Sequence, residues 1–210
     1  MGKCLLAACV IGTLGTGCGG SKPAPEERTE TSVNIVQPGA PGEPSKKVTP
    51  ADADPMVQHN QADVEFMQGM IHHHQQALTM ADWVPDRTQS TSIRLLARRM
   101  ELSQQAEIDQ MWKWLEARGV DPTDHTHKHM VMPGMLNSRQ LGKLKDAAGA
   151  RFDGLFLRYM TMHHRGALTM VQELLNKGGG AEAEIGAFTR HVDADQAIEI
   201  KRMEQLLKGL

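Results

Sequence analysis

The spacing of hydrophobic and polar positions predicts four long helices in the part of the chain beyond position 55. Apolar residues recur there at intervals of three and four, and no stretch alternates with the two-residue period of a β-strand. The four stretches have similar lengths and cover residues 55–84, 90–118, 150–177 and 181–208. Glycine or proline follows each of the first three, as is typical of helix ends.

The chain contains an internal repeat. Residues 63–80 and 153–170 align at an offset of 90 with nine identities in eighteen positions, including a His-His pair and the sequence Ala-Leu-Thr-Met. The helices that follow align at an offset of 92. The coinciding residues are Gln104 and Gln196, Glu107 and Glu199, Ile108 and Ile200, and Met111 and Met203. Two helical hairpins of one design predict an all-α fold, an antiparallel four-helix bundle with repeat one at 56–119 and repeat two at 150–209.

The connection between the hairpins contains a shorter helix signal and a cluster of potential ligands. The helix is expected at 138–148, with Ser138 as its N-cap and Gly149 as its end. Three histidines and three methionines precede it: His125, His127, His129, Met130, Met132 and Met135. Alternating histidines followed by spaced methionines are not a pattern of core packing, so they predict a surface site for metal capture. A solvated loop with a hydrophobic landing patch is the alternative.

The first 55 residues have the composition of an export signal and a linker. Lys3 precedes an apolar run, and small residues then lead to Cys18, so residues 1–18 predict a signal peptide of the lipoprotein type, with a plain secretory signal as the alternative. Residues 19–55 hold 7 of the 10 prolines and show no regular period, which predicts a disordered linker. The protein is therefore expected in the cell envelope of a bacterium, periplasmic or tethered to the outer membrane through Cys18, or secreted.

Composition limits both the classes of function and the residue types that could bind a metal. The net charge of −2 argues against a nucleic-acid binder, and no nucleophile–base pair or phosphate loop supports a hydrolase or a kinase. There are 14 Met, an excess for a chain with so few aromatic residues. All 3 Cys lie at or before position 18, so a metal in the folded domain must be held by histidine, methionine, carboxylate or backbone.

Each hairpin places histidine and methionine on the buried face of its first helix. The residues at 4-3-4-3 spacing are Phe66, Met70, His73, Ala77 and Met80 in the first copy, and Phe156, Met160, His163, Ala167 and Met170 in the second. His74 and His164 each lie one turn from a methionine of this seam. On the second helix of each hairpin, Glu107 or Glu199 interrupts an apolar stripe.

These residues predict a buried metal site. Taken singly, each is compatible with core packing. Together, two histidine pairs and two glutamates are costly to bury unless they are paired or coordinated. Imidazole suits copper, zinc, iron and nickel, and a thioether selects Cu(I), so a copper ion is expected first. If the glutamates join the histidines, iron, manganese or zinc becomes the alternative. The candidate ligands are Met70, His73, His74, Met80, Glu107, Met160, His163, His164, Met170 and Glu199.

The chain resembles the bacterial family known as domain of unknown function 305 over about positions 56–210. The resemblance rests on the blocks FMQGMIHHHQQALTMA, MPGML and FLRYMTMHHRGALTM. It implies a ferritin-like four-helix bundle, and it implies copper binding or copper tolerance because the family includes periplasmic copper-binding proteins of the CopM type. The family motif falls on Asp63, Phe66, Met70, His73, His74 and Met80, and on Asp153, Phe156, Met160, His163, His164 and Met170.

Three functions follow from these observations. The first is a non-enzymatic envelope protein that sequesters or transfers copper. The second is a ferritin-like metalloenzyme with a His/carboxylate iron or manganese centre, although the long helices lack the Glu-x-x-His pattern of di-iron bundles. The third is a structural or partner-binding lipoprotein, since methionine-rich surfaces can act as docking faces. The expected partner is a metal ion, with a homo-oligomer possible in each case.

Overall fold

The computed structural model describes residues 35–37, 44–48, 58–122 and 132–210. The chain divides into two compact units, Met1–Ala53 and Asp54–Leu210. In the first unit, strands β1 (Ile35–Gln37) and β2 (Lys46–Val48) pair antiparallel, with Ile35 opposite Val48. The sequence does not predict this ladder, because three-residue strands are too short to show a period. The predicted signal peptide, residues 1–18, lies outside the described residues.

The described part of the second unit is helical, which confirms the all-α prediction for this region. Its helices are α1 (Gln61–Asp82), α2 (Val84–Arg87), α3 (Thr91–Glu116), α4 (Ser138–Lys145), α5 (Gly149–Asn176) and α6 (Ala183–Lys208). The four long helices α1, α3, α5 and α6 correspond to the four predicted stretches. The one-turn helix α2 is additional, and Pro85 lies in its first turn, where a missing N–H costs nothing.

Helix ends are set by local hydrogen bonds that the sequence pattern locates only approximately. At the start of α1, Asn60 and Asp63 form a capping box, and Asp63 also accepts a hydrogen bond from the Gly180 backbone N–H at 2.7 Å. The cap of α4 is Asn137 rather than the predicted Ser138, because the Asn137 side chain accepts from the backbone of Gln140. Gly149 does not end α4 but begins α5.

Two apolar clusters divide the core of the helical unit. The first, here called the Met70 cluster, contains Phe66, Met67, Met70, Ile71, Ile108, Met111, Trp114, Leu115, Met132, Ala167, Met170, Val171, Leu174, Ile185, Phe188 and Val192. The second, here called the Met80 cluster, contains Ala77, Met80, Ala81, Val84, Ile93, Leu96, Ala97, Met100, Leu136, Leu144, Ala147, Phe152, Phe156, Leu157, Met160, Ile200 and Met203. Each long helix contributes to both clusters, so each runs the length of the core.

The order of the two clusters along each helix gives the helix directions. α1 and α6 run from the Met70 cluster to the Met80 cluster, whereas α3 and α5 run the opposite way. Within the unit, α1 packs on α3, α5 packs on α6, and the two hairpins meet along α1 and α5. The contacting pairs are therefore all antiparallel. Because α3 and α5 run in the same direction, the chain between them must return along the core, which is the single long crossover of ferritin-like bundles.

The segment of this crossover just before α4, residues 132–136, forms a strap across the middle of the core. Its first residue, Met132, belongs to the Met70 cluster, and its last, Leu136, belongs to the Met80 cluster. Gln76 of α1 holds Leu136 through two hydrogen bonds, donating to its carbonyl at 3.0 Å and accepting from its N–H at 2.7 Å. On the other side, Gly134 has a φ of +76° and lies directly against Gly166 of α5.

In the described part of the chain, no helix combines the length with the apolar character that a membrane crossing requires.

We expect Gly166→Ala to destabilise the helical unit by about 1–3 kcal/mol, the usual cost of overpacking a filled core. A Cβ at position 166 would lie 2.6 Å from the Gly134 Cα, and the backbone of the strap would have to move away. The free energy of unfolding in urea measures this effect. Gly142→Ala in α4 is the matched control, because a Cβ there meets nothing within 4 Å. It should leave stability unchanged or raise it by up to ~1 kcal/mol. Equal effects of the two substitutions would contradict the strap contact.

Candidate metal centre

Four histidines and two glutamates form a buried polar layer between the two apolar clusters. We call this set the histidine layer; its members are His73, His74, Glu107, His163, His164 and Glu199. On α1, His73 and His74 separate Met70 of one cluster from Ala77 of the other. The other three long helices change clusters at the equivalent point. The two His-His pairs, which the sequence leaves as one site or two, thus lie at one level of the bundle.

The first histidine of each pair faces its counterpart across the α1–α5 contact. The ring centroids of His73 and His163 are 3.8 Å apart, with an angle of 36° between the ring planes. The His73 Nε2–H donates to the carbonyl oxygen of Pro133 in the strap at 3.1 Å. A carbonyl only accepts, so this bond assigns the proton to Nε2 and leaves the lone pair on Nδ1. Neither ring nitrogen of His163 has a hydrogen-bond partner among the described residues.

The second histidine of each pair binds a glutamate within its own hairpin. The Nε2–H of His74 donates to Glu107 Oε2 at 2.5 Å, and that of His164 donates to Glu199 Oε2 at 2.8 Å. All four side chains are buried. These charge-assisted bonds supply the partners that buried carboxylates require. They extend the layer from the central histidines outward to α3 on one side and to α6 on the other.

All four imidazoles of the layer leave Nδ1 without a hydrogen-bond partner among the described residues. In three of them, Nε2–H is fixed by an oxygen acceptor, which is Pro133, Glu107 or Glu199. An unpaired buried polar atom costs about 1–3 kcal/mol. Histidines that bind metals show the same arrangement, in which one ring nitrogen donates to a carboxylate or carbonyl and the other is free to coordinate.

Burial keeps the two central histidines uncharged. Loss of hydration, and then the neighbouring His74, lower the pKa of His73 to about 3. Burial also lowers the pKa of His163 well below its usual range, and the nearby His73 and His164 act in the same direction. At neutral pH both rings are therefore neutral imidazoles, the form that binds metal ions.

The four methionines predicted as ligands of the buried site are all buried, and they flank the layer on both sides. Met70 and Met170 lie in the Met70 cluster, while Met80 and Met160 lie in the Met80 cluster. Each His-His pair thus has a methionine one turn away on its own helix. Their burial is also what core packing of these side chains requires.

The predicted surface site in the crossover is only partly described. His125, His127, His129 and Met130 lie outside the described residues. Met132 is not a surface residue, because its side chain packs into the Met70 cluster, with its sulfur facing Gly69. Met135 is half-buried beside the same cluster. Met132 is buried because it is the first residue of the strap, which crosses the core and therefore needs an apolar side chain at this position.

His191 and Asp195 are brought to the outer side of the histidine layer, a position that sequence reasoning missed. Glu107 Oε1, the oxygen that does not bind His74, lies 3.7 Å from His191 Nε2. Asp195, one turn further along α6, lies 3.6 Å from the same nitrogen. The i, i+4 spacing of His191 and Asp195 indicates that they share one face of α6. Their approach to Glu107 depends on how the two hairpins pack, which this spacing does not predict.

We expect the stability of the metal-free protein to fall as the pH is lowered from 6.5 to 5. In the unfolded chain His73 and His163 titrate near 6.5 and take up protons over this range, whereas in the folded protein they stay neutral. The unfolded state therefore binds more protons, and each histidine contributes a slope of up to ~1.4 kcal/mol per pH unit. Urea unfolding at a series of pH values in the presence of a chelator measures this slope.

The variant His163→Leu removes one of the two titrating rings and should reduce the slope. Met111→Leu is the control, because it changes a buried residue of the Met70 cluster without removing a titrating group. A wild-type stability that stays level between pH 6.5 and 5, or a slope that His163→Leu leaves intact, would show that these rings accept protons in the folded state.

Comparison with known proteins places the helical unit in a family. The model of the family described as domain of unknown function (DUF305) matches residues 63–207. A DUF305 fragment from Deinococcus radiodurans is 31% identical with a TM-score of 0.66, and the match covers 73% of this chain and 100% of that one. A DUF305 protein of Streptomyces coelicolor that is thought to be secreted is 30% identical with a TM-score of 0.64, and the match covers 70% and 93% of the two chains.

The chain is also similar to CopM over most of its helical unit and to a viral protein over a short segment. CopM in its Cu(II)-bound form is 27% identical with a TM-score of 0.59, over 70% of this chain and 96% of CopM, and CopM has also been solved with Cu(I) and with Ag bound. An uncharacterized protein, L153, of Acanthamoeba polyphaga mimivirus is 41% identical over 56 residues, which span only 37% of that protein. Because the family model covers more than half of the sequence and the same helical fold recurs in solved members, the chain belongs to the DUF305 family.

Proposed function

We propose that this protein is an exported copper-binding protein that holds the metal in the histidine layer. The observation that carries the proposal is the set of four buried imidazoles whose Nδ1 atoms all lack a hydrogen-bond partner among the described residues. A core built only for stability would pair or replace such groups, since each unpaired buried nitrogen lowers stability. Coordination of a metal ion would satisfy them.

The protonation state of the layer favours a metal over protons. His73 and His163 are held neutral by burial, so their lone pairs are available at neutral pH without release of a proton. The carbonyl of Pro133 and the carboxylates of Glu107 and Glu199 orient three of the four rings. Orientation by such outer partners raises the basicity of a ligating imidazole and fixes its direction.

The composition around the layer selects the metal. The two apolar clusters that enclose it contain methionine thioethers, and no cysteine lies beyond position 18. Imidazole with thioether is a soft to borderline donor set that favours copper and suits Cu(I) in particular. Similarity to CopM, which binds Cu(I), Cu(II) and Ag in its solved structures, supports the same choice.

A surface cavity lies beside the strap that contacts the histidine layer. A cavity of about 240 Å³ is lined by Gly69, Met132, Pro133 and Met170, with Glu65 and Glu173 also on its wall. Lys177 also lines the cavity and forms an ion pair with Glu65 at 3.7 Å, so the acidic side chain of this wall that would attract a cation is Glu173, and Met132 and Met170 add thioether groups to the wall. Pro133, whose carbonyl binds His73, is part of both the cavity wall and the strap. Movement of the strap would therefore open the histidine layer to a metal ion.

The proposal of export is supported by the signal-like residues 1–18 and by the secreted character assigned to a related DUF305 protein. A copper-binding domain in the cell envelope would capture metal before it enters the cell. Sequestration or transfer to another protein, without chemical turnover, is the activity that this site supports.

His163→Leu should weaken Cu(I) binding at least tenfold, because it removes a ring with two unpartnered nitrogens and breaks no hydrogen bond of the described structure. Competition with a Cu(I) chelator under anaerobic conditions measures the affinity, and Ag(I) serves as an air-stable probe. Every protein compared should carry serine in place of Cys4, Cys9 and Cys18, so that thiolates do not mask the site. Unchanged affinity in His163→Leu, or native protein that contains iron or manganese, would overturn the proposal; the latter would favour the ferritin-like enzyme.

Methionine ligation is tested by two double variants that are matched in burial. Met70→Leu with Met160→Leu removes the thioethers one turn before the histidines, and we expect it to lower the Cu(I) affinity but not the Cu(II) affinity. Met111→Leu with Met203→Leu removes two equally buried thioethers from the partner helices. A Met to Leu exchange nearly conserves volume, so each exchange should cost less than about 1.5 kcal/mol in stability. Identical Cu(I) affinities for the two double variants would assign Met70 and Met160 to packing alone.

A further inference from the structure

The outer oxygen of Glu107 is a buried acceptor that points at ligand atoms of another helix. Glu107 is only 3% exposed, and its Oε1 has no hydrogen-bond partner in the described structure. It faces the Nε2 of His191 at 3.7 Å, and the Oδ2 of Asp195 lies 3.6 Å from that nitrogen. One ligand atom from each of these three residues lies within 4.8 Å of the other two.

These distances suit a small divalent cation. In tetrahedral zinc sites with nitrogen and oxygen ligands at about 2.0–2.2 Å, neighbouring ligand atoms lie about 3.3–3.6 Å apart. Two of the three separations are within a few tenths of an ångström of this range. His191 is 57% exposed and Asp195 is partly exposed, so both can adjust, while the buried Glu107 is fixed by His74.

The equivalent place in the other half of the bundle holds a positive charge instead. The offset of 92 that aligns Glu107 with Glu199 also aligns Arg99 with His191 and Ser103 with Asp195. The Arg99 guanidinium Nε lies 3.9 Å from Glu199 Oε1. Glu199 therefore faces the permanent positive charge of Arg99, whereas Glu107 faces His191 and a second acidic side chain, Asp195. A bound dication beside Glu107 would supply the charge that Arg99 supplies beside Glu199.

We propose that Glu107, His191 and Asp195 form a second metal site, one that takes a divalent transition cation of the zinc class. Its three ligands are one imidazole nitrogen and two carboxylate oxygens, and water completes the coordination from the exposed side. The site has no sulfur donor, so it differs in chemistry from the copper site proposed for the histidine layer. Within the described helices it has no counterpart beside Glu199, because Arg99 occupies the equivalent position in the other half.

The site is tested with Zn²⁺ by isothermal titration calorimetry on the full chain. All proteins carry serine in place of Cys4, Cys9 and Cys18, so that thiols do not bind the zinc. They also carry His125→Gln, His127→Gln and His129→Gln, so that the histidines of the crossover do not bind it. Asp195→Asn should lower the affinity of one zinc equivalent at least tenfold. Asp193→Asn is the matched control: it makes the same change of charge two residues away on the exposed face of α6, and it should bind as the parent does.

A pair of exchanges between the two halves tests the argument from the repeat. His191→Arg should abolish the zinc equivalent, and Arg99→His with Ser103→Asp should add one beside Glu199. Far-ultraviolet circular dichroism checks that each variant is folded. Cu(I) affinity should be the same in Asp195→Asn as in the parent, so the failure of this site and the failure of the copper proposal are separate results. Parent-like zinc binding by Asp195→Asn, or no gain in the Arg99→His variant, would show that His191 makes only an ion pair.

Discussion

The burial of four imidazoles midway along the core is the constraint around which the helical unit is arranged. A polar ring inside an apolar core must find a partner or lower the stability of the fold. Here the second histidine of each pair takes a glutamate from its own hairpin, and His73 takes a backbone carbonyl from the crossover. These three bonds fix the register of α1 against α3, the register of α5 against α6, and the path of the strap. Among the described residues, no oxygen accepts a hydrogen bond from His163 in this way, and this ring lies at the centre.

The strap contacts the two copies of the repeat through different residues. Position 76 in the first copy corresponds to position 166 in the second. Gln76 holds Leu136 with two hydrogen bonds, whereas Gly166 provides the space in which Gly134 approaches α5. A symmetric pair of residues could not do both, because one strap crosses both helices. The exchange of Arg99 for His191 is a second inequality, on the outer side of the layer.

The sequence located the elements of the site because they depend on local spacing. The 4-3-4-3 seam predicted the buried face of α1 and α5, and every seam residue is buried. Glu107 and Glu199 were found through the repeat. The predicted bounds of α3, α5 and α6 agree with the structure to within two residues, whereas the first stretch was predicted to begin six residues before α1. At α4 the cap is Asn137 rather than Ser138, because the Asn137 side chain accepts a hydrogen bond from the Gln140 N–H. Met132 was assigned to a surface loop because no local period indicates that a loop crosses a core.

The sequence by itself determined the number of long helices, the duplication and the buried seam that carries His73 and His163, since these follow from the 3.6-residue period of a helix. Tertiary structure decided which buried groups meet. His73 contacts His163 only because α1 and α5 pack antiparallel at one register, and His191 reaches Glu107 only because the two hairpins bring α6 beside α3 at that level. Spacing along one helix carries no information about the register between two helices. The same residues in a shifted register would leave the imidazoles in separate places.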